Sequence, residues 1–442
     1  MLSEPIHAAL EWLFAASIPS SVEDKARLLV LDTLGCVLAA SEKQEPKALA
    51  LRLAEADPGN CIVPGFTARL SAGAAAAQFA SAACWDEACE GLARAHGRPG
   101  VPVLAALSAV AQAQDRTLGE LLHALVTGYE TGGRIGAALR IAPGMHVDGT
   151  WPCFGVAAAM VRLAGGTAHA AAQAIAIAAC QMPYSLYAPV KSGATARNTY
   201  LAHAAQLGML AGSSALAGVG APSDAIDELQ RLALSGAPAG APLAAPGEWL
   251  LLEGYLKPFA AVRHVHYGAA AAIALRERVA GRLTAISRLR LHTYPEALRY
   301  CGNRNPATPL AAQFSLSFGI ARALAAGDLA PNAYDPQALA DPVTRSLEAK
   351  VELAIDAAME RSGRRGGRLE IDVEGETLSC AIERVAGDPE SPMSHAAVVA
   401  KFVRYAERSL GEQRSLQAAE TFLAAGSERG WRGLMGELFS RR

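Results

Sequence analysis

Apolar positions recur at helical spacing through the first half of the chain. Between residue 4 and about residue 217 such stretches alternate with short Gly or Pro breaks, the pattern of successive packed helices. In one of them Ala26, Leu29, Val30, Leu34 and Val37 follow Ser20 and Ser21, either of which can cap the start. Residues 100–102 open another, carried by Val103, Leu104, Leu107 and Val110. Segment 236–247 has Pro or Gly in every turn and is predicted as a surface loop. Beyond about residue 282 the period changes. Ile286, Leu289, Leu291 and Thr293 partly alternate, and Leu369, Ile371 and Val373 alternate before a Glu-Gly turn at Gly375. Helical spacing over 311–326 and 344–359 separates these strand candidates, so about 275–385 is predicted as a small α+β domain. Residues 394–410 return to helix, which makes an insertion into a helical domain the simplest architecture.

Composition narrows the class. A chain of 442 residues has room for two or three domains at roughly 150 residues each. With 51% hydrophobic and only 6% aromatic residues, its core must consist of small aliphatic side chains in close-packed helices. Forty basic against 42 acidic residues give a net charge of -2, no field to attract nucleic acid or an anionic membrane. Glu4 and Glu11, with no basic region ahead of an apolar run, argue against a signal or transit peptide. The longest uncharged apolar stretch, 170–190, carries Gln173, Gln181, Pro183 and Ser185 and is expected in a buried core rather than a membrane. Eight scattered cysteines without a C-x-x-C pair signal neither zinc nor disulfides. A reduced, cytoplasmic, metal-free protein is the expectation.

Four segments could carry chemistry. In ACWDEACEGLARAHGRPG a helical run stops in a loop that could aim Asp86 and His96 into a cleft, the bland alternative being a solvated acidic loop. His146 stands in GMHVDGTWPCFG, where Asp148 or Thr150 could cap the next helix. KSGATARNTYLAHAAQLG offers Lys191, Arg197, Tyr200 and His203, with Arg197 and Tyr200 three apart and on one side of a helix. LKPFAAVRHVHYG packs Lys257, Arg263, His264, His266 and Tyr267 into eleven residues. If extended, it puts both histidines on one side and Arg263 on the other. With no third metal ligand nearby, an anion-binding and acid/base cluster is the better reading of that segment.

DTLGCVLAA, the 86–96 loop, GYETGGRIG, MHVDGTWPCFGVAAA, RNTYLAHAAQLG, LKPFAAVRHVH, AAQFSLSFGIARAL and GDPESPMSHAAVVAKF occur in this order over nearly the whole chain. Together they resemble the MmgE/PrpD family. The resemblance implies a homodimer whose subunits have a mainly α fold, with a large all-helical domain built from both chain ends (1–270 and 391–442) and a smaller α+β lid (271–390). The active site lies in the cleft between them. Members include 2-methylcitrate dehydratase, cis-aconitate decarboxylase and iminodisuccinate epimerase, which act on small polycarboxylates without metal or organic cofactor.

Carried over by motif, Asp86, His96, His146, Arg197, Lys257 and the Arg263/His264/His266 group match the family's active-site positions. Where the family writes H-x-x-D-F-D-D-T, this chain has Ala83 for the His and Glu87, Ala88, Cys89 and Glu90 for F-D-D-T. Arg197 replaces a frequent Lys, and Phe318 a frequent Tyr.

The expected activity is a cofactor-free, 2-methylcitrate dehydratase-like hydro-lyase acting on a small di- or tricarboxylate. His96 and His146 would transfer protons, with Asp86 orienting one of them. Arg197, Lys257 and Arg263 would clamp carboxylate, with His264, His266, Tyr200 and Lys191 around them. Epimerisation, decarboxylation and a catalytically silent carboxylate-binding protein are the alternatives.

Overall fold

The computed structural model describes residues 1–440, and helices dominate it. Ser20–Ala40 is the central one. Every side chain from Leu28 to Ala40 is buried, as expected of a helix covered on all sides by others. Around it pack Ala72–Ala83, Gly100–Gln114 and Leu118–Ala138, the last with a full capping box between Thr117 and Glu120. The small-residue composition sets how near these helices come. A Cβ at Gly128 would meet Gly155 O at 2.8 Å, so Leu118–Ala138 and Pro152–Leu163 touch backbone to backbone through glycines from two different motifs.

Near the C-terminus, His395–Leu410 starts at a Ser394 cap and lies back along Ser20–Ala40. Lys401 Nζ joins the two, donating to Asp32 Oδ1 at 2.6 Å and to Ala88 O at 2.8 Å.

The strand candidates are strands. β1 (Pro58–Ile62) and β2 (Arg69–Leu70) form a small antiparallel ribbon, and a four-stranded sheet has the order β4-β3-β5-β6. There β3 (Ile286–Thr293) pairs parallel with β4 (Val351–Ile355) and antiparallel with β5 (Gly367–Val373), which pairs with β6 (Glu376–Ile382). Glu374 and Gly375, both with positive φ, make the two-residue turn between β5 and β6. One sheet face lies on Arg263–Leu275, where Gly268 lets Leu291 and Ile320 close in.

Several expectations need correction. Segment 344–359 is not one helix: Pro342–Ala349 ends, β4 follows, and Asp356 caps Ala357–Ser362. Pairing of Val351 with Leu289 in the sheet overrides the local period. Likewise 311–326 breaks at Phe314–Ser315, where Ser315 caps Leu316–Ala326. Neither Ser20 nor Ser21 caps its helix, which begins at Ser20 after Pro19. Neither Asp148 nor Thr150 caps Pro152–Leu163, whose start is set by Pro152. The β1–β2 ribbon makes the helical part less than all-helical, and it depends on Gly59, where a Cβ would lie 2.5 Å from Leu70 O. Segment 236–247 is irregular, as expected, and among the described residues no helix is long and apolar enough to cross a membrane.

Candidate active site

The loop after Ala72–Ala83 turns inward instead of lying in solvent. Its Glu87 takes a left-handed backbone (φ +54°) and is wholly buried. One carboxylate oxygen sits 2.9 Å from Lys257 Nζ, which also donates to Glu87 O at 2.7 Å. The other lies 2.9 Å from Arg98 Nη2 and in contact with Arg197. Asp148 adds a second carboxylate, 3.4 Å from Arg98 and 3.2 Å from Arg197. Burial alone would raise the Glu87 pKa, but Arg197, Arg98 and Lys257 together hold it well below the usual range. For Asp148 the same opposition ends in a lowered value, through Arg98 and Arg197. Three residues along the loop, Glu90 feels Arg98 and Lys257 only at a distance and forms no ion pair among the described residues. Burial pushes its pKa up to about 8, even though it accepts from Gly100 N–H and Val101 N–H at the start of a helix.

His146 borders this ion cluster, with Nδ1 4.0 Å from Asp148 Oδ2. The Asp148 backbone N–H donates to Nδ1 at 3.2 Å, so in the neutral ring the proton is on Nε2. Burial lowers its pKa to about 4. The ring stacks on Tyr187 at 5.7 Å and meets Tyr200 edge-on at 5.6 Å. Tyr187 reaches Tyr300 at 5.6 Å, and Tyr300 stacks on His264 at 5.8 Å. His264 Nδ1 lies 2.6 Å from Tyr294 Oη. An aromatic string thus joins His146 to His264, with Tyr300, 40% exposed, open to solvent in its middle.

Arg365 and Glu296, paired at 2.9 Å, are the charges that act most strongly on His264. Burial and then Arg365 lower the His264 pKa to about 4, against Glu296. His96 (φ +55°) shares these two neighbours and adds Arg140. Its ring keeps open surface, yet desolvation by its close surroundings, with Arg140 and Arg365, lowers its pKa to about 4 as well.

The expected residues therefore divide. Arg197 and Lys257 come together on Glu87, with Arg197 also reaching the Asp148 that borders His146, and His96 comes to His264. Asp86 does not orient a histidine: it is buried 3.7 Å from Lys43, and burial raises its pKa to about 6. The 257–267 segment is not extended at its histidines, because Arg263–Leu275 is helical and sets His264 and His266 about 200° apart. His266 is a core residue bonded to Ala261 O at 2.9 Å beside Phe259. Arg263 pairs with Asp388 at 2.6 Å over the Tyr255 ring. Arg197 and Tyr200 do not share a helix side, since Arg197 lies in the 3-10 turn Thr195–Thr199 and points inward while Tyr200 begins the next helix. Lys191 is exposed and makes no ion pair among the described residues. A groove of about 350 Å³ lined by Gly149, Ser185, Tyr200 and His203 opens beside the string but contains neither His146 nor His264.

Two family models cover the chain: the MmgE/PrpD N-terminal domain matches residues 11–234 and the MmgE/PrpD C-terminal domain residues 259–425. The chain belongs to the MmgE/PrpD family. No protein of curated function matches it. The site draws on both family domains, since Glu87, Arg98, His146, Asp148 and Arg197 fall in the N-terminal match and His264, Tyr294, Tyr300 and Arg365 in the C-terminal one.

Sequence reading passed over Glu87 as a site residue, and missed Arg98, Tyr187, Tyr300, Glu296 and Arg365. Arg98, two residues beyond His96, could have been found from the loop itself. Arg365 stands in an Arg- and Gly-rich turn with no local sign that it faces a histidine a hundred residues earlier.

Proposed function

We propose that this MmgE/PrpD chain is a cofactor-independent lyase, a 2-methylcitrate dehydratase-like hydro-lyase working as a homodimer on a small polycarboxylate. Members of the family are generally enzymes, of dehydratase-like or related lyase and isomerase type. The observation that carries the reading is the pair of imidazoles at the ends of the Tyr187–Tyr300 string, each with Nδ1 engaged in a hydrogen bond and Nε2 left to work. Arg365, with Arg140, holds a substrate carboxylate. In the tautomer that donates Nδ1–H to Tyr294 Oη, His264 presents an Nε2 lone pair that takes the proton α to that carboxylate. Carboxylate bound at Arg365 offsets a charge that lowers the His264 pKa, so binding raises the base toward its working range.

As the C–H electron pair becomes the C=C bond, the C–O bond breaks. The proton held on His264 passes to the departing hydroxyl, which leaves as water. His146, neutral with its proton on Nε2, donates a hydrogen bond to the oxygen where charge develops. A ring that is already protonated at Nε2, with Nδ1 occupied, is a poor second base, and this favours elimination over two-base epimerisation.

A thermal-shift screen of citrate, 2-methylcitrate, cis-aconitate, tartrate and malonates, followed by turnover of whichever stabilises the protein, tests the reading. The expected result is an ultraviolet-absorbing unsaturated acid. Inverted product with solvent deuterium and no unsaturated acid would replace the lyase by an epimerase.

A further inference from the structure

We propose that Glu87 is a built-in carboxylate ligand, occupying a cation pocket formed by Arg98, Arg197 and Lys257 that would otherwise take a carboxylate from solution. Three cations from three separate stretches of chain converge on one side chain, with Arg98 at 2.9 Å, Lys257 at 2.9 Å and Arg197 in contact. Glu87 is held in a backbone conformation that a glutamate adopts only when its surroundings impose it. Nor does one carboxylate saturate the donors. Arg197 is wholly buried, yet its Nε finds no hydrogen-bond partner among the described residues, and neither does Asp148 Oδ1. With Asp148 beside it, the cluster sets two carboxylates against three cations, one positive charge more than a balanced structural network needs.

The consequence concerns the substrate. Resting on the lyase reading above, the inference is that the pocket next to His146 is filled from within, so the substrate brings one carboxylate fewer than the cations could hold. Dicarboxylates are preferred over tricarboxylates.

Glu87→Gly tests this directly. It removes the side chain, relieves the left-handed backbone, and leaves a gap of propionate's shape. Sodium propionate should raise the melting temperature of Glu87→Gly by several degrees in a saturable way, and should leave the unmodified protein unchanged. Sodium chloride at equal ionic strength and uncharged propionamide should not substitute. If Glu87→Gly folds only in propionate, that is the same result in stronger form. Glu87→Ser, which keeps a Cβ and a hydroxyl in the gap, repeats the measurement.

Indifference of both variants to propionate, or failure of both to fold in either salt, would overturn the proposal, because the carboxylate would then be fixed structure and not a replaceable ligand. Since stability is the readout, the result stands apart from turnover: a protein that binds propionate in the Gly variant but dehydrates nothing would defeat the lyase reading alone.

Discussion

Around His146, Glu87 and Asp148 meet Arg98, Arg197 and Lys257 with almost no exposed surface, and each charge faces another. Around His264 the pair that acts on it most strongly, Arg365 and Glu296, keeps 27% and 33% of its side-chain surface open. Both histidines nonetheless end near the same lowered pKa of about 4. The closed cluster holds its histidine neutral by burial and fixes its tautomer with a backbone N–H. The open one leaves a cation within reach of a ligand, so its histidine can change when something binds. One side of the site is therefore rigid by construction and the other responsive.

The comparison is broken most easily by removing one cation from each side. Lys257→Met leaves one buried Glu87 oxygen without its donor, Arg98 and Arg197 still holding the other, and should cost about 1–3 kcal/mol of stability in denaturant unfolding. Arg365→Met removes a half-open pair and should cost under about 1 kcal/mol while raising KM for the substrate. Equal losses would erase the distinction.

Next in size, His264→Gln should lower kcat by about 10²-fold or more with KM nearly constant, as loss of a general base requires. His146→Gln, which replaces the fixed imidazole Nε2–H by an amide of different reach, should also fall in kcat, but should still exchange the α-proton of recovered substrate with deuterated water. If His264→Gln keeps that exchange and His146→Gln loses it, the two roles are reversed.

A smaller effect is expected from pH. Native Glu90, raised to about 8, keeps a proton that the unfolded chain releases above 4.5, so its contribution to stability declines as pH rises toward 8. His146, His264 and His266 act in the opposite sense. Lowered to about 4, 4 and 3, they refuse protons that the unfolded chain takes up below 6.5, and their contribution is lost as pH falls through that range. Stability should thus decline from pH 6.5 to 8, and Glu90→Gln, which keeps an acceptor for Gly100 N–H, should flatten that slope in pH-dependent melting. The smallest change belongs to Lys191→Ala, which should stay within about 0.5 kcal/mol of the parent in stability.

Helices and strands were legible where local pattern and tertiary environment agree. Leu369, Ile371 and Val373 alternate and are buried in alternation, and Ser394 caps the helix it precedes. They were illegible where the environment overrides the pattern, as in residues 351–355, which are a strand only because β3 pairs with them. The site follows the same rule. Loop 84–98 could be picked out as a place of chemistry, but which acid turns inward depends on a left-handed residue at position 87 and on Lys257, brought there from 170 residues away. Spacing in sequence made neighbours of His264 and His266, and a helix separates them.

The bond from Lys401 to Asp32 and to the Ala88 carbonyl sets an order of assembly. It links the loop that carries Glu87 to a residue synthesised 369 positions after Asp32. At about 5–20 residues per second of translation, roughly 20–70 s pass between making one partner and making the other. Throughout that interval Asp32, at the centre of the first helices, lacks its cation. A nascent chain halted before Lys401 would hold the residues of the ion cluster and an unfinished loop, and full closure of the site waits until Lys401 has been made.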